Sequence, residues 1–317
     1  MTSHGDWTKH ALITGGTDGI GKEIARGLAD RGMRVLIVGR DLAKGNRAAL
    51  ELRRSSGNVN VDFFAADLSL VREANRLADE VGRRSKSLHY LVHSAGLVRG
   101  HYQLTDEGVE SNFAINYLSR FALTNRLLPL LQSGGQPDEA ARIVIIGGAA
   151  QHGVIYFDDV NLTSNFNVIR MLGQVCRVND VFTVELARKL ASRAQSRVTV
   201  TNLKVGVVKT NTRRRPDFPW FMKLLAPLLD PFLAMPVQEA ASAALGLLLA
   251  EEFESVSGSL FLMIKKFKEL VPLAEVKDPY VGERLWELSK AKSGQLVGLK
   301  IPRDTTVEPV AHRVSGI

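Results

Sequence analysis

Short apolar runs alternate with longer amphipathic stretches along most of the chain. The strand-like runs are His10–Thr14, Arg34–Val38, Val59–Ala65, His89–His93, Arg142–Ile146, Val198–Leu203 and Ser259–Met263. Between them lie stretches with apolar residues at helical spacing: Gly19–Arg31, Leu42–Ser55 stopped by Gly57, a segment from Asp67-Leu68 to about Arg83, Val109–Leu131 broken late by Pro129, Ile169–Arg193 and Val237–Ala250. Nearly continuous apolar strands separated by helices predict a parallel sheet covered on both faces, because crossover helices bury both sides of each strand. The expectation is one α/β domain, a Rossmann-like doubly wound parallel sheet over residues 1–293 with one helical patch near Gly282–Lys290 in the stretch from Val271, followed by a tail at 294–317.

Residues 211–236 break this rhythm. Pro216, Pro219, Pro227, Pro231 and Pro236 punctuate an apolar stretch holding Trp220, Phe221, Leu224, Leu225, Leu228, Leu229, Phe232 and Leu233. Prolines at this spacing limit helices to short pieces. A helical lid insert over an apolar pocket is the expectation, with a membrane or partner contact as the other reading.

The first strand runs into Thr14-Gly15-Gly16-Thr17-Asp18-Gly19-Ile20-Gly21 and then a helix. Strand, glycine loop and helix in that order aim a helix N-terminus and free backbone N–H groups at a pyrophosphate. Gly15, Thr17, Asp18, Gly19, Ile20 and Gly21 are thus candidate cofactor contacts. A dinucleotide site that selects NAD places a carboxylate after the second strand. Here Gly39 stands there, followed by Arg40, whose guanidinium can pair with a 2′-phosphate. NADP(H) is favoured and NAD(H) left open, since Asp18 opposes a phosphate.

Composition narrows the field. With 317 residues and 45% apolar content the chain can bury a full core. A net charge of +8 without a dense basic stripe argues against nucleic acid as a partner. A single cysteine excludes an internal disulfide and a cysteine-rich zinc site, and no metal site is expected. No apolar run is long enough to span a bilayer, so the expected setting is the cytoplasm.

Together these motifs resemble the short-chain dehydrogenase/reductase family, in its retinol-dehydrogenase-like branch, over about residues 9–293. Thr14-Gly15-x-x-x-Gly19-Ile20-Gly21 matches the cofactor fingerprint, and Asp67-Leu68 the pair beside the adenine. Ser94-Ala95-Gly96 follows the fourth strand, with His93 and Ser94 where the family has two asparagines. Asn116 matches its structural and proton-relay asparagine. Val205-Gly206-Val207-Val208-Lys209-Thr210 resembles the segment at the nicotinamide carboxamide, implicating Val208 and Thr210.

The resemblance also implies a serine, a tyrosine and a lysine four residues later. The register set by Asn179 and Phe182 puts Leu172 and Cys176 at the tyrosine and lysine positions, and Gly148 at the serine position. The tyrosines at 90, 102, 117, 156 and 280 all lack a lysine four residues on. Asn116, Ser94, His152 and Tyr156 are the remaining candidates for catalytic contact. Two readings follow. One is an NADPH-dependent ketoreductase of atypical mechanism, acting on an apolar aromatic polyketide ketone whose own phenolic hydroxyls polarise the carbonyl, similar to the atypical ketoreductases of angucyclinone antibiotic biosynthesis. The other is a non-catalytic nucleotide-binding regulator or scaffold. A homodimer through the two long helices, near Ile115–Leu130 and Ile169–Lys189, is compatible with the resemblance.

Overall fold

A computed structural model describes residues 9–136, 138–193, 196–210, 216–222, 224 and 234–297, with side chains to 294. Eight strands form one sheet: β1 His10–Thr14, β2 Arg34–Gly39, β3 Val61–Ala65, β4 Tyr90–His93, β5 Ala141–Gly148, β6 Val198–Val205, β7 Leu260–Met263 and β8 Phe267–Leu270. Their order is β3-β2-β1-β4-β5-β6-β7-β8, all parallel except the antiparallel β7–β8 pair at the edge. The order reverses between β1 and β4, and a crevice opens at such a switch point.

Alternation along the strands divides the core. Leu12, Leu36, Leu91, Ile143 and Ile145 face α3 (Val71–Arg84), α5 (Ser119–Gly134) and α6 (Val168–Ala191). Ile13, Ile37, Val92, Val144 and Leu203 face the other way, toward α1 (Gly19–Ala29), α2 (Leu42–Ser56) and α7 (Val237–Leu249). Burying both faces is what made the strands read as unbroken apolar runs.

Several expected boundaries move. Val59 is 77% exposed and lies outside β3, which begins at Val61. The expected break at Pro129 does not occur: α5 runs through it to Gly134. Upstream, the long helix is not uniform. A short α4 (Ser111–Phe113) passes into a π-helical turn, Ala114–Leu118, before α5 begins. The strand β8 and the extent of the last helix were not foreseen. After α8 (Ala274–Lys277), α9 covers Pro279–Val297 and packs on α6, α3 and α5. Its Trp286 ring sits 5.0 Å from Phe121, and its buried Ser289 hydroxyl lies 2.6 Å from the Tyr117 hydroxyl. Thus α9 covers part of the helices considered above for pairing.

The insert is pinned at both ends. Gly100 N donates to Asp217 O at 2.9 Å and Arg99 Nε to the Asp217 carboxylate at 3.2 Å. At its exit, Met235 N donates to Val207 O and Lys209 N to Met235 O. Trp220 and Leu224 are exposed, while Phe221 is half-buried. Pro227, Pro231, Leu225, Leu228, Leu229, Phe232 and Leu233 lie outside the described residues.

Candidate active site

The crevice at the β1/β4 switch point is built by close backbone approach. Gly15 has φ +69°, and a Cβ there would stand 2.8 Å from Ala95 N. No other residue fits that position without moving the β4 exit loop. Thr14 Oγ1 accepts from Ser94 N and Ala95 N, both at 3.1 Å, so the two loops lining the crevice are locked together. Ser94 Oγ lies 3.1 Å from where a Cβ on Gly21 would stand, next to the start of α1. The Asp18 side chain caps α1 by accepting from Gly19 N at 2.8 Å, and the first turn carries no acidic residue. On the opposite wall the Thr210 side chain comes within 3.4 Å of a Cβ placed on Gly19, so the β6 exit lies over the glycine loop.

The Asp18 carboxylate has a cationic partner in the fold. Lys44, which the sequence reading missed, sets its Nζ 2.6 Å from the second oxygen of Asp18 and neutralises it. Arg40 lies 4.0 Å from the Asp67 carboxylate, which is also held by Ser69 N and Oγ. A Cβ on Gly39 would stand 2.7 Å from Thr17 Cγ2, so a side chain after β2 has to displace Thr17. Leu68 is buried in the core. A helix N-terminus and a close-packed glycine loop suit the pyrophosphate of a dinucleotide.

Asn116 sits in the π-helical turn and works as a clamp. Its side chain donates to Leu97 O and Asn112 O, both at 2.8 Å, and accepts from Leu97 N at 3.2 Å. Its carbonyl accepts from Asn179 Nδ2 at 3.0 Å, tying the turn to α6. An i→i+5 turn directs this carbonyl out of the ordinary helix ladder, and such turns gather at functional sites.

At the positions of the family's serine, tyrosine and lysine, Gly148 ends β5, Leu172 is half-buried on α6, and Cys176 is buried one turn further on. Cys176 Sγ donates to Gly148 O at 3.4 Å and lies 3.2 Å from a Cβ placed on Gly148. Burial pushes the thiol up from its ordinary range, with Asp180 adding to the rise and Lys204 and Arg120 opposing it. A serine at 148 and the thiol at 176 compete for one space.

Sequence reasoning also missed Arg120. Its guanidinium is fully buried and donates to Ile146 O at 3.0 Å, Ala95 O at 2.9 Å and Asn179 Oδ1 at 3.3 Å. It thereby joins the ends of β4 and β5 to α6 beneath the crevice. Burial lowers its pKa to about 10, and it remains a cation at neutral pH. No local pattern marks it, because an arginine on a helix reads as a solvated charge.

His152 is exposed and faces a cavity beside Arg177, Asp180 and Lys204. Tyr156 is half-buried against the core; its backbone N donates to Gln174 Oε1 at 2.9 Å. Val208 is buried and bridged to Met235. The structure brings the glycine loop, Ser94, Ala95 and Thr210 together at the switch point, and His152 and Tyr156 lie on the β5–α6 connection.

A model of the short chain dehydrogenase family matches residues 9–157. Human retinol dehydrogenase 14 is 33% identical over 303 residues, covering 91% of this chain and 87% of its own length. Bovine retinol dehydrogenase 12 is 34% identical over 282 residues, with 89% and 85% covered. Among solved structures, an uncharacterized protein of Mycobacterium paratuberculosis superposes with a TM-score of 0.70 at 25% identity, covering 90% of this chain and 93% of that one. RhlG of Pseudomonas aeruginosa, solved with NADP at its active site, gives 0.65 at 25% identity, covering 82% and 97%. No described helix is long and apolar enough to cross a membrane.

Proposed function

Because the chain belongs to the short chain dehydrogenase family and is an NAD(P)(H)-dependent oxidoreductase, we propose that it is an NADPH-dependent ketoreductase of hydroxylated aromatic ketones that works without the family's own proton donor. One observation carries this reading: the crevice keeps its close approaches while Gly148 and Leu172 carry no acid, and the Cys176 thiol is buried, has its pKa pushed up, and donates to Gly148 O.

When bound, the nicotinamide supplies a hydride. The chain's residues hold and shield. Gly15, Gly19 and Gly21 let backbone close on the pyrophosphate at the start of α1, Arg40 pairs with the 2′-phosphate, and Lys44 keeps Asp18 from repelling it. Ser94-Ala95-Gly96, Val208 and Thr210 wall the nicotinamide side. Asn116 and Arg120 fix the floor by tying loop, strand and helix together. The described part of the insert, with Phe221 half-buried and Asp217 held by Arg99, lies where it would shelter the reacting carbonyl from water.

Loss of a positioned acid forfeits typically 10²–10⁴ in rate, about 3–5 kcal/mol. A hydroxyl placed next to the ketone on an aromatic frame returns part of this by donating to the carbonyl oxygen throughout the reaction. Such a substrate is flat and apolar, as in the angucyclinones. The test is reduction of a peri-hydroxylated tetralone against the same tetralone without the hydroxyl, followed by NADPH oxidation. Turnover confined to the first supports the reading; equal turnover of both contradicts substrate-supplied activation.

A further inference from the structure

Behind Cys176 lies a charged group for which the reduction as described has no use. Asp180 is one helical turn beyond Cys176 and shares its face of α6. Its carboxylate accepts from Lys204 Nζ at 2.5 Å and Asn202 Nδ2 at 3.0 Å. Lys204 lies on β6 in register with Gly147, the neighbour of Gly148. The two charged side chains are 2% and 5% exposed. An ammonium has three donors, and among the described residues Lys204 Nζ has Asp180 as its one hydrogen-bond partner.

Lys204 borders a cavity of about 80 Å³. Buried Lys204, Asp180 and Arg177 form its charged floor, and Leu260 and Val276 its dry wall. Gln151, His152, Val271 and Leu273 make an exposed rim. Arg177 is committed to Gly153 O and Gln151 O, both at 3.0 Å, with Glu275 at 3.9 Å, so it frames the opening and leaves Lys204 as the donor at the bottom. A cavity of this size has room for several waters, its charged floor gives them hydrogen-bond partners although most of its wall is apolar, and a rim open to solvent exchanges them. The cavity therefore leads from bulk water to within one residue of Gly148 and one turn of Cys176.

We propose that this cavity is a proton entry and that the Lys204–Asp180 pair relays protons from solvent to the back of the reduction site. The relay depends on the catalytic reading above. Reduction consumes one solvent proton for each hydride. The alkoxide formed at the substrate takes the neighbouring phenolic proton. The phenolate left behind takes a proton passed through water from the Lys204 ammonium, and Lys204 is recharged from the cavity waters. Asp180 holds the counter-charge throughout. Arg177, Arg120, Cys176, His152 and Glu275 are the other titratable or charged groups around the path.

The test compares wild type with Lys204→Met and with the double variant Lys204→Met/Asp180→Asn, which removes both charges of the pair together. With the peri-hydroxylated tetralone as substrate, kcat is expected to fall roughly tenfold to hundredfold in both variants, while KM and NADPH affinity hold. Methylammonium should restore kcat saturably, and tetramethylammonium, equally charged but with no proton to give, should not. Unchanged kcat, a loss that methylammonium leaves in place, or equal rescue by both ions overturns the relay. A wild type that binds NADPH but reduces nothing removes the catalytic reading and the relay with it; an active wild type with unaffected variants removes the relay alone. Independently of turnover, a crystal structure should show water on Lys204 Nζ, and a dry cavity overturns the proposal.

Discussion

Replacing Arg40 by alanine tests how the adenine end chooses its cofactor. The Arg40 side chain is 43% exposed, and its ion pair with Asp67 spans 4.0 Å. A pair that long and that wet contributes about 0.2–1 kcal/mol, so little holds the guanidinium back from a phosphate. A charge-assisted hydrogen bond contributes about 1.5–3 kcal/mol when sheltered. Exposure scales this to about 1–2 kcal/mol, or roughly a 5- to 30-fold change in Kd at 25 °C. Titrating intrinsic tryptophan fluorescence with NADPH and with NADH measures both affinities. Arg40→Ala should weaken NADPH by that factor and leave NADH nearly unchanged, and added salt should narrow the wild-type preference because the pair is exposed. Parallel loss of both cofactors, or no loss of either, would refute the assignment of Arg40 to the 2′-phosphate.

Other perturbations probe the framework. Gly15→Ala forces a left-handed residue with its Cβ 2.8 Å from Ala95 N; it should lower unfolding free energy by about 2 kcal/mol or more and abolish cofactor binding. Gly57→Ala, at a similar φ with no heavy atom within 4 Å, should cost only about 1 kcal/mol and leave binding intact, both measured by urea unfolding and titration. Burial, aided by Arg120, holds His93 well below the ordinary histidine range, so the unfolded chain takes up a proton near pH 6.5 that the fold refuses. Its stabilisation is full above that pH and is lost as pH falls toward the depressed folded value, by at most about 1.4 kcal/mol per unit. His93→Asn should flatten this limb in urea titrations at pH 7 and pH 5; an unchanged slope would contradict the buried neutral ring. Cys176→Lys, restoring the family's residue, adds a cation beside Arg120 and Lys204 and should lower stability by about 3 kcal/mol, read from the denaturant midpoint.

Most of the sheet was legible because both of its faces are buried, so strands read as apolar blocks and crossovers as helical periods. The glycine fingerprint was legible for the same local reason: a strand must stop, turn and start a helix within a few residues. Where an element depends on distant partners, the pattern is silent. β8 carries Phe267, Lys268 and Glu269, all exposed, and forms only because β7 offers an edge. The π-helical turn at Asn116 is held by Leu97 and Asn179, and α5 passes through Pro129 within packing that outweighs one missing hydrogen bond. In the candidate site, the motif residues are readable locally, and their long-range supports were missed. Lys44 lies 26 positions from Asp18, Lys204 lies 24 from Asp180, and Arg120 reaches three separate elements. A charge on a helix or strand announces nothing about its partner until the fold brings the two together.

The central claim is that reduction proceeds without a proton donor at positions 148, 172 and 176 because the substrate carries its own. Single-turnover mixing of the NADPH-bound protein with the peri-hydroxylated tetralone, and separately with the unsubstituted tetralone, tests it most directly. Hydride transfer to the hydroxylated ketone at least roughly a hundredfold faster is the predicted result, matching the contribution of a positioned acid. Equal rates for the two ketones would place the proton source in the protein and contradict the account.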